Sequence, residues 1–182
     1  MKILFRLFLT FNATSLIIVV FFAKEHYLLG DIVSRLDFIP DFISYIIYIL
    51  IPIILTYISL IMSKHLDNDS IHSNNKSVIK EIEQANNAFL PSYLGYFFVA
   101  LSISDHETLF FVFAIIFIFT FLSQTLYFNP LYLIFGYHFY YITTNTSIRV
   151  FIISKRILKD PNNLSFKRLK RINNFTFIDQ EV

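Results

Sequence analysis

Four apolar runs, separated by polar stretches, set the pattern of the chain. The first covers residues 3–23, behind Lys2 and ahead of Lys24-Glu25. The others cover residues 42–62, 88–104 and 108–128. About 20 apolar residues cross a hydrocarbon core of roughly 30 Å at about 1.5 Å per residue. The runs therefore predict four transmembrane helices. A cleaved signal peptide competes for the first run, but Phe21-Phe22-Ala23 puts bulky aromatics where cleavage needs small residues. We read it as an uncleaved span. Pro52, in the middle of the second run, removes a backbone hydrogen bond at the Tyr48 carbonyl and predicts a kink. Pro91 falls in the first turn of the third run, where proline is tolerated. Asn129-Pro130 stops the fourth.

The polar stretches differ among themselves. Residues 24–41 are acidic, with Leu28, Leu29, Ile32, Val33 and Leu36 at helical spacing, which predicts a short amphipathic helix on the outer surface. Residues 63–87 read as a solvated loop. From Ser77 onward Val78, Ile79, Ile82 and Ala85 share one helical face, predicting an amphipathic helix that leads into the third span. Only Asp105-His106-Glu107 separates the last two runs, as in an antiparallel helical hairpin. After Pro130 the texture changes. Residues 131–142 and 148–154 are rich in β-branched and aromatic residues, around the polar turn Thr143-Thr144-Asn145-Thr146-Ser147, and predict a β-hairpin. Asp160-Pro161-Asn162-Asn163 marks a further turn, and Phe175-Thr176-Phe177-Ile178 a last short strand. The expected fold is an all-α membrane domain of four transmembrane helices, residues 1–128, followed by a small β-rich C-terminal cytoplasmic module, residues 129–182.

Composition supports the bilayer as solvent. Hydrophobic residues make up 55% of the chain and 23 residues are Phe, more apolar surface than a soluble chain of this size buries. Charge fixes the expected orientation. With four spans, thirteen Lys and Arg fall on the side of the termini and two, Lys24 and Arg35, on the other. The positive-inside rule then places both termini in the cytoplasm.

The residues that carry chemistry are few. There is no Cys, which excludes disulfides, thiol nucleophiles and thiolate zinc sites. Three glycines, Gly30, Gly95 and Gly136, leave no room for a phosphate-cradling loop, and no nucleophile motif is present. We expect no catalysis, no cofactor and no metal. His65-Leu66-Asp67-Asn68-Asp69-Ser70-Ile71-His72 has metal-like side chains, but an EF-hand fails at His72 and Val78. No ionisable residue lies deep in a span, which argues against a transport pathway. Asn12, Thr14, Ser15, Thr56, Ser59, Thr120, Ser123, Gln124 and Thr125 are the polar residues there. Helix–helix hydrogen bonding accounts for them, and a pore lined by Asn12 or Gln124 in an oligomer is the alternative. The six N-x-[ST] triplets fall in no segment expected outside and are chance products of an Asn-rich chain. Lys167-Arg168-Leu169-Lys170-Arg171 packs four cations into five residues. The charges alone read as a solvated face, a contact for anionic lipid head groups, or a dock for an acidic partner or nucleic acid; Phe166, Leu169 and Ile172, at helical spacing, would make a mixed patch suited to an acidic partner face. No direct nucleic-acid contact is expected of it.

One segment carries a resemblance. Asn129-Pro130-Leu131 directly after the last span, then Gly136-Tyr137, then a hairpin ending in Ile152-Ile153-Ser154-Lys155-Arg156, resembles KwaA, the membrane-subunit family of the bacterial Kiwa anti-phage defence system. The resemblance implies a four-helix inner-membrane protein that senses phage at the envelope and forms a homo-oligomer, a tetramer. It also implies a soluble cytoplasmic effector subunit that itself binds DNA. It supplies no catalytic residues. Two functions follow as expectations: a membrane sensor or scaffold that recruits the effector, or a small oligomeric channel.

Overall fold

The structure is a computed structural model that describes residues 2–36, 38–71, 79–88, 90–123, 129–161 and 164–181. The chain forms two compact units. One holds residues 7–57 and 90–127, the other residues 1–6, 58–89 and 128–182.

The first of these units is helical. Helices α1 (Lys2–Thr14) and α2 (Leu16–Lys24) follow one another across a break at Ser15. There the Ser15 hydroxyl donates to the Asn12 carbonyl at 2.7 Å and the Thr14 hydroxyl to the Thr10 carbonyl at 3.0 Å, the local back-bonding that bends helices. The predicted outer helix condenses to α3 (Leu29–Ile32) and a 3₁₀ turn at Ser34–Leu36. Helix α4 (Asp41–Ser63) runs on through Pro52. Thr56 donates to the Pro52 carbonyl at 2.8 Å and accepts from Asn12 Nδ2 at 2.8 Å. Helices α5 (Leu90–Ser102) and α6 (His106–Ser123) follow one another across the short link at 103–105. Ile17 and Phe21 of α2 pack with Ala100 of α5, Ile103 and Leu109 of α6. Tyr93 donates to the Ala13 carbonyl at 2.9 Å, and Lys24 caps α5 by donating to the Ile103 carbonyl at 2.5 Å.

Among the described residues, three helical stretches, Ile3–Lys24, Asp41–Ser63 and His106–Ser123, are long and apolar enough to cross a membrane. The third predicted span is shorter than its apolar run. Helix α5 has 13 residues, about 20 Å at the helical rise, against a hydrocarbon core of about 30 Å. The run is apolar beyond Ser102, but the backbone there turns. Asp105 accepts the Thr108 N–H at 2.8 Å and starts α6. That hydrogen bond, with a second from the Thr108 hydroxyl at 2.8 Å, holds the Asp105 carboxyl below its usual pKa range. The end of the fourth run, Gln124 and Thr125 included, lies outside the described residues.

The second unit is built on a six-stranded sheet: β1 (Asn68–Ile71), β2 (Ile79–Gln84), β3 (His138–Thr144), β4 (Arg149–Ser154), β5 (Phe166–Arg171) and β6 (Thr176–Asp179), in the order β1-β5-β6-β4-β3-β2. The predicted β3–β4 hairpin and the last strand are present, but the first arm, expected over residues 131–142, begins only at His138, because residues 131–134 form a helical turn. All pairs are antiparallel except β4 with β6. Two strands come from residues 63–87, read from sequence as a loop and an amphipathic helix. That reading is corrected: β2 occupies Ile79–Gln84. Val78 and His72 lie outside the described residues. The cause of the misreading is a bulge. Ile79 pairs with Thr144 and Glu81 with Thr143, so β2 carries one extra residue. Ile79 and Ile82, three apart, then reach the same core. That spacing is also one turn of a helix.

The principal core of the sheet alternates as strands should: Tyr140 and Ile142, Val150 and Ile152, Phe177, with Ile79, Leu158, Phe166 and Leu169. On the other face Phe139 stacks on Phe151 at 5.7 Å between ring centroids, and Tyr132 meets Phe139 edge-on at 6.2 Å. Tyr132 belongs to a single helical turn, α7 (Leu131–Ile134). Its hydroxyl bonds Ser59 of α4 at 2.8 Å, and burial pushes the phenol's pKa well up.

Candidate functional site

Strand β5 carries the four-cation stretch, and it is a strand, not a helix. Asp69 pairs with Leu169 and Ile71 with Phe166, so two steps along β1 span three along β5. The extra residue is a bulge at Lys167-Arg168. It turns both Phe166 and Leu169 into the core, each 0% exposed, and leaves Lys167 and Arg168 exposed side by side. Ordinary alternation would send one of the two cations inward. Ile172, the third apolar member of the expected patch, is 3% exposed. The mixed patch of cations and apolar anchors is therefore corrected: Phe166 and Leu169 are core residues with no surface to offer a partner.

The remaining cations divide by what they touch. Lys170 donates to the Leu66 carbonyl at 2.8 Å. Arg171 pairs with Asp69 at 2.5 Å. Both tie β5 to the chain leaving α4. Arg149 pairs with Glu83 and lies 4.0 Å over the Tyr141 ring, and burial raises the Tyr141 phenol. Arg156 is committed inward. Its Nε donates to Asp179 Oδ2 at 2.7 Å, and its Nη1 pairs with Glu181 at 2.9 Å. Ser154 also donates to Asp179 Oδ2 at 2.7 Å. The Asp179 side chain is 0% exposed, a buried charge met by a cation and a hydroxyl. Sequence reading missed this centre, because Asp179 is 23 residues from Arg156 and no motif links them.

The metal-like stretch comes apart in the same way. Asp69 is taken by Arg171, and among the described residues no group of three His, Asp or Glu side chains is placed to hold a metal ion.

The segment behind the resemblance has a physical logic of its own. Asn129 Oδ1 accepts the Leu131 N–H at 3.0 Å and opens α7, with Pro130 at its start. Gly136 closes it at φ +75°, a conformation that strains any residue with a Cβ. Leu131 is 7% and Tyr137 8% exposed. The motif therefore makes a one-turn plug that turns the chain from the helices into β3. The family model for anti-phage protein KwaA matches residues 5–178, which takes in α7 and nearly all of the sheet and of the three membrane-length helices. The chain belongs to the KwaA family of anti-phage proteins. No curated protein and no solved structure matches it. The KwaA match runs through the apolar helices and the strands alike, and takes in the Asn129-to-Tyr137 turn.

Proposed function

We propose that this chain is the inner-membrane sensor and scaffold of its anti-phage system and that it recruits a soluble cytoplasmic effector through the β5 face of its sheet. The observation that carries the reading is the bulge. It sets Lys167 and Arg168 next to each other on the surface of a sheet hydrogen-bonded to the last turns of α4. A basic surface of this kind steers an acidic partner face. In this reading the effector makes any contact with DNA, and the chain itself performs no catalysis. The membrane part crosses four times, with α5 and its flanking residues as the third crossing. Connectivity supports this: β2 leads out of the sheet into α5, and after α6 the chain returns to it at α7 and β3. Both termini are then cytoplasmic, in agreement with the Lys and Arg balance, and copies associate into a homo-oligomer. Asn12 spends its amide on Thr56 of the same chain, which supports a packing role over a pore lining.

Two measurements test the reading. A cytoplasmic fluorescent reporter fused after Val182 is expected to shine and a periplasmic enzyme fused there to be silent, with the reverse after Gly30. Periplasmic activity at Val182 contradicts the orientation. Lys167→Glu with Arg168→Glu is expected to reduce co-purification of the soluble subunit by about tenfold or more, for a loss of about 1.4 kcal/mol per factor of ten. The effect should be strongest at low salt, where screening is weakest. Unchanged recovery of the subunit contradicts the docking face.

A further inference from the structure

The end of the sheet nearest α4 exposes apolar side chains that the effector reading leaves unused. Two hydrogen bonds fix this end against the last turns of α4. The Tyr132 hydroxyl bonds Ser59 at 2.8 Å, and Gln180 Nε2 donates to Ser63 Oγ at 3.0 Å. Ser63 is the last residue of α4, and the next two, Lys64 and His65, are exposed. The polar boundary of a bilayer crossed by α4 therefore falls at this level, and α7, held one turn below it through Tyr132, lies at head-group depth.

We propose that this end of the sheet is a collar that rests on the bilayer surface and binds anionic lipid head groups. The inference rests on α4 crossing a bilayer and is independent of any protein partner. Ile134 of α7 is 62% exposed and Ile157, just past β4, is 69% exposed. The strand register brings these two segments together: His138 pairs with Ser154, and the Lys155 ammonium sits 5.2 Å over the Tyr137 ring. Past β4, Lys155, Ile157 and Lys159 are exposed while Leu158 is buried. Exposed aliphatic tips and lysines at one end of the sheet match the layering of an interface, acyl boundary and then phosphates. The acids at this end do not cancel the lysines. Asp179 and Glu181 are taken up by Arg156, and Asp160, beside Lys159, offsets one charge. Lys64, Lys155 and Lys159 remain as exposed cations at the boundary.

The absence of Cys allows single spin labels on the full chain. Labels are placed at Ile157→Cys, at Ile148→Cys in the β3–β4 turn, and at Phe119→Cys on α6. The protein is reconstituted in vesicles of phosphatidylcholine alone or mixed with phosphatidylglycerol. Collisions with oxygen, which partitions into lipid, are compared with those of a water-soluble nickel chelate. The Phe119 label should read as lipid and the Ile148 label as water. With phosphatidylglycerol present, the oxygen-to-nickel ratio at Ile157 should lie several-fold above that at Ile148. It should fall toward the Ile148 value in phosphatidylcholine alone, or when Lys155 and Lys159 are changed to Glu. A watery Ile157 label in anionic vesicles overturns the collar. So does a ratio indifferent to both lipid and charge, or a label shielded from both reagents, which marks a protein contact. A watery Phe119 label overturns the membrane reading and the collar with it.

Discussion

Replacing Phe166 and Leu169 by Ser unfolds the sheet while the helices stay in the membrane. Both side chains are fully buried in the core shared by β2 to β6. Truncating a buried Phe costs about 3–5 kcal/mol and a buried Leu about 2–5 kcal/mol, and a serine hydroxyl left without a partner adds to that. Against a typical total stability of about 5–15 kcal/mol, the pair of changes removes most or all of it. Limited proteolysis of membranes carrying the variant is expected to clip residues 129–182 readily, where the parent chain resists. Had these residues been surface anchors, the sheet would stay resistant and only partner capture would drop. The two outcomes separate a core role from a docking role.

Arg156→Ala is the second large effect. It leaves the buried carboxylate of Asp179 with no cation, only the Ser154 hydroxyl and the Glu181 N–H as donors, and takes the cation from Glu181. Removing one partner of a buried ion pair costs about 3–5 kcal/mol, because the remaining charge stays buried and uncompensated. The rescue is specific. Adding Asp179→Leu to Arg156→Met removes both charges and should recover much of the loss, whereas Asp179→Leu with Arg156 intact should not. The check is thermal unfolding of the detergent-solubilised chain. A mild effect of Arg156→Ala, under about 1 kcal/mol as for exposed pairs, contradicts the buried-pair account.

Much of this architecture is legible in the sequence because two signals are strong. Unbroken apolar runs mark helices that satisfy their own backbone in lipid, and alternation marks β3, β4 and β6. The misreadings share one cause. In β2 the pair Ile79 and Ile82, and in β5 the pair Phe166 and Leu169, are apolar residues three apart. A bulge puts such a pair on one face of a strand, and a helix does the same without one. Pairing partners far along the chain decide between them: Thr143 and Thr144 for β2, Asp69 and Ile71 for β5. Those partners carry no local signal. The third apolar run shows a different limit. Hydropathy persists through Ile103, but the helix ends at Ser102, where Asp105 recruits the backbone for α6. The candidate cations were visible as a cluster. Which two of them face outward depended on the bulge.

In the proposed function the sheet's exposed cation pair links the membrane part to the defence response. The most direct measurement is the plating efficiency of phage on cells carrying the intact system with Lys167→Glu and Arg168→Glu in this chain. Lys80→Glu, at the exposed bulge of β2, serves as the control. The double change is expected to abolish protection while the chain still fractionates with the membrane and its sheet stays protease-resistant, and the control is expected to protect normally. Full protection by the folded double variant would contradict the proposed function.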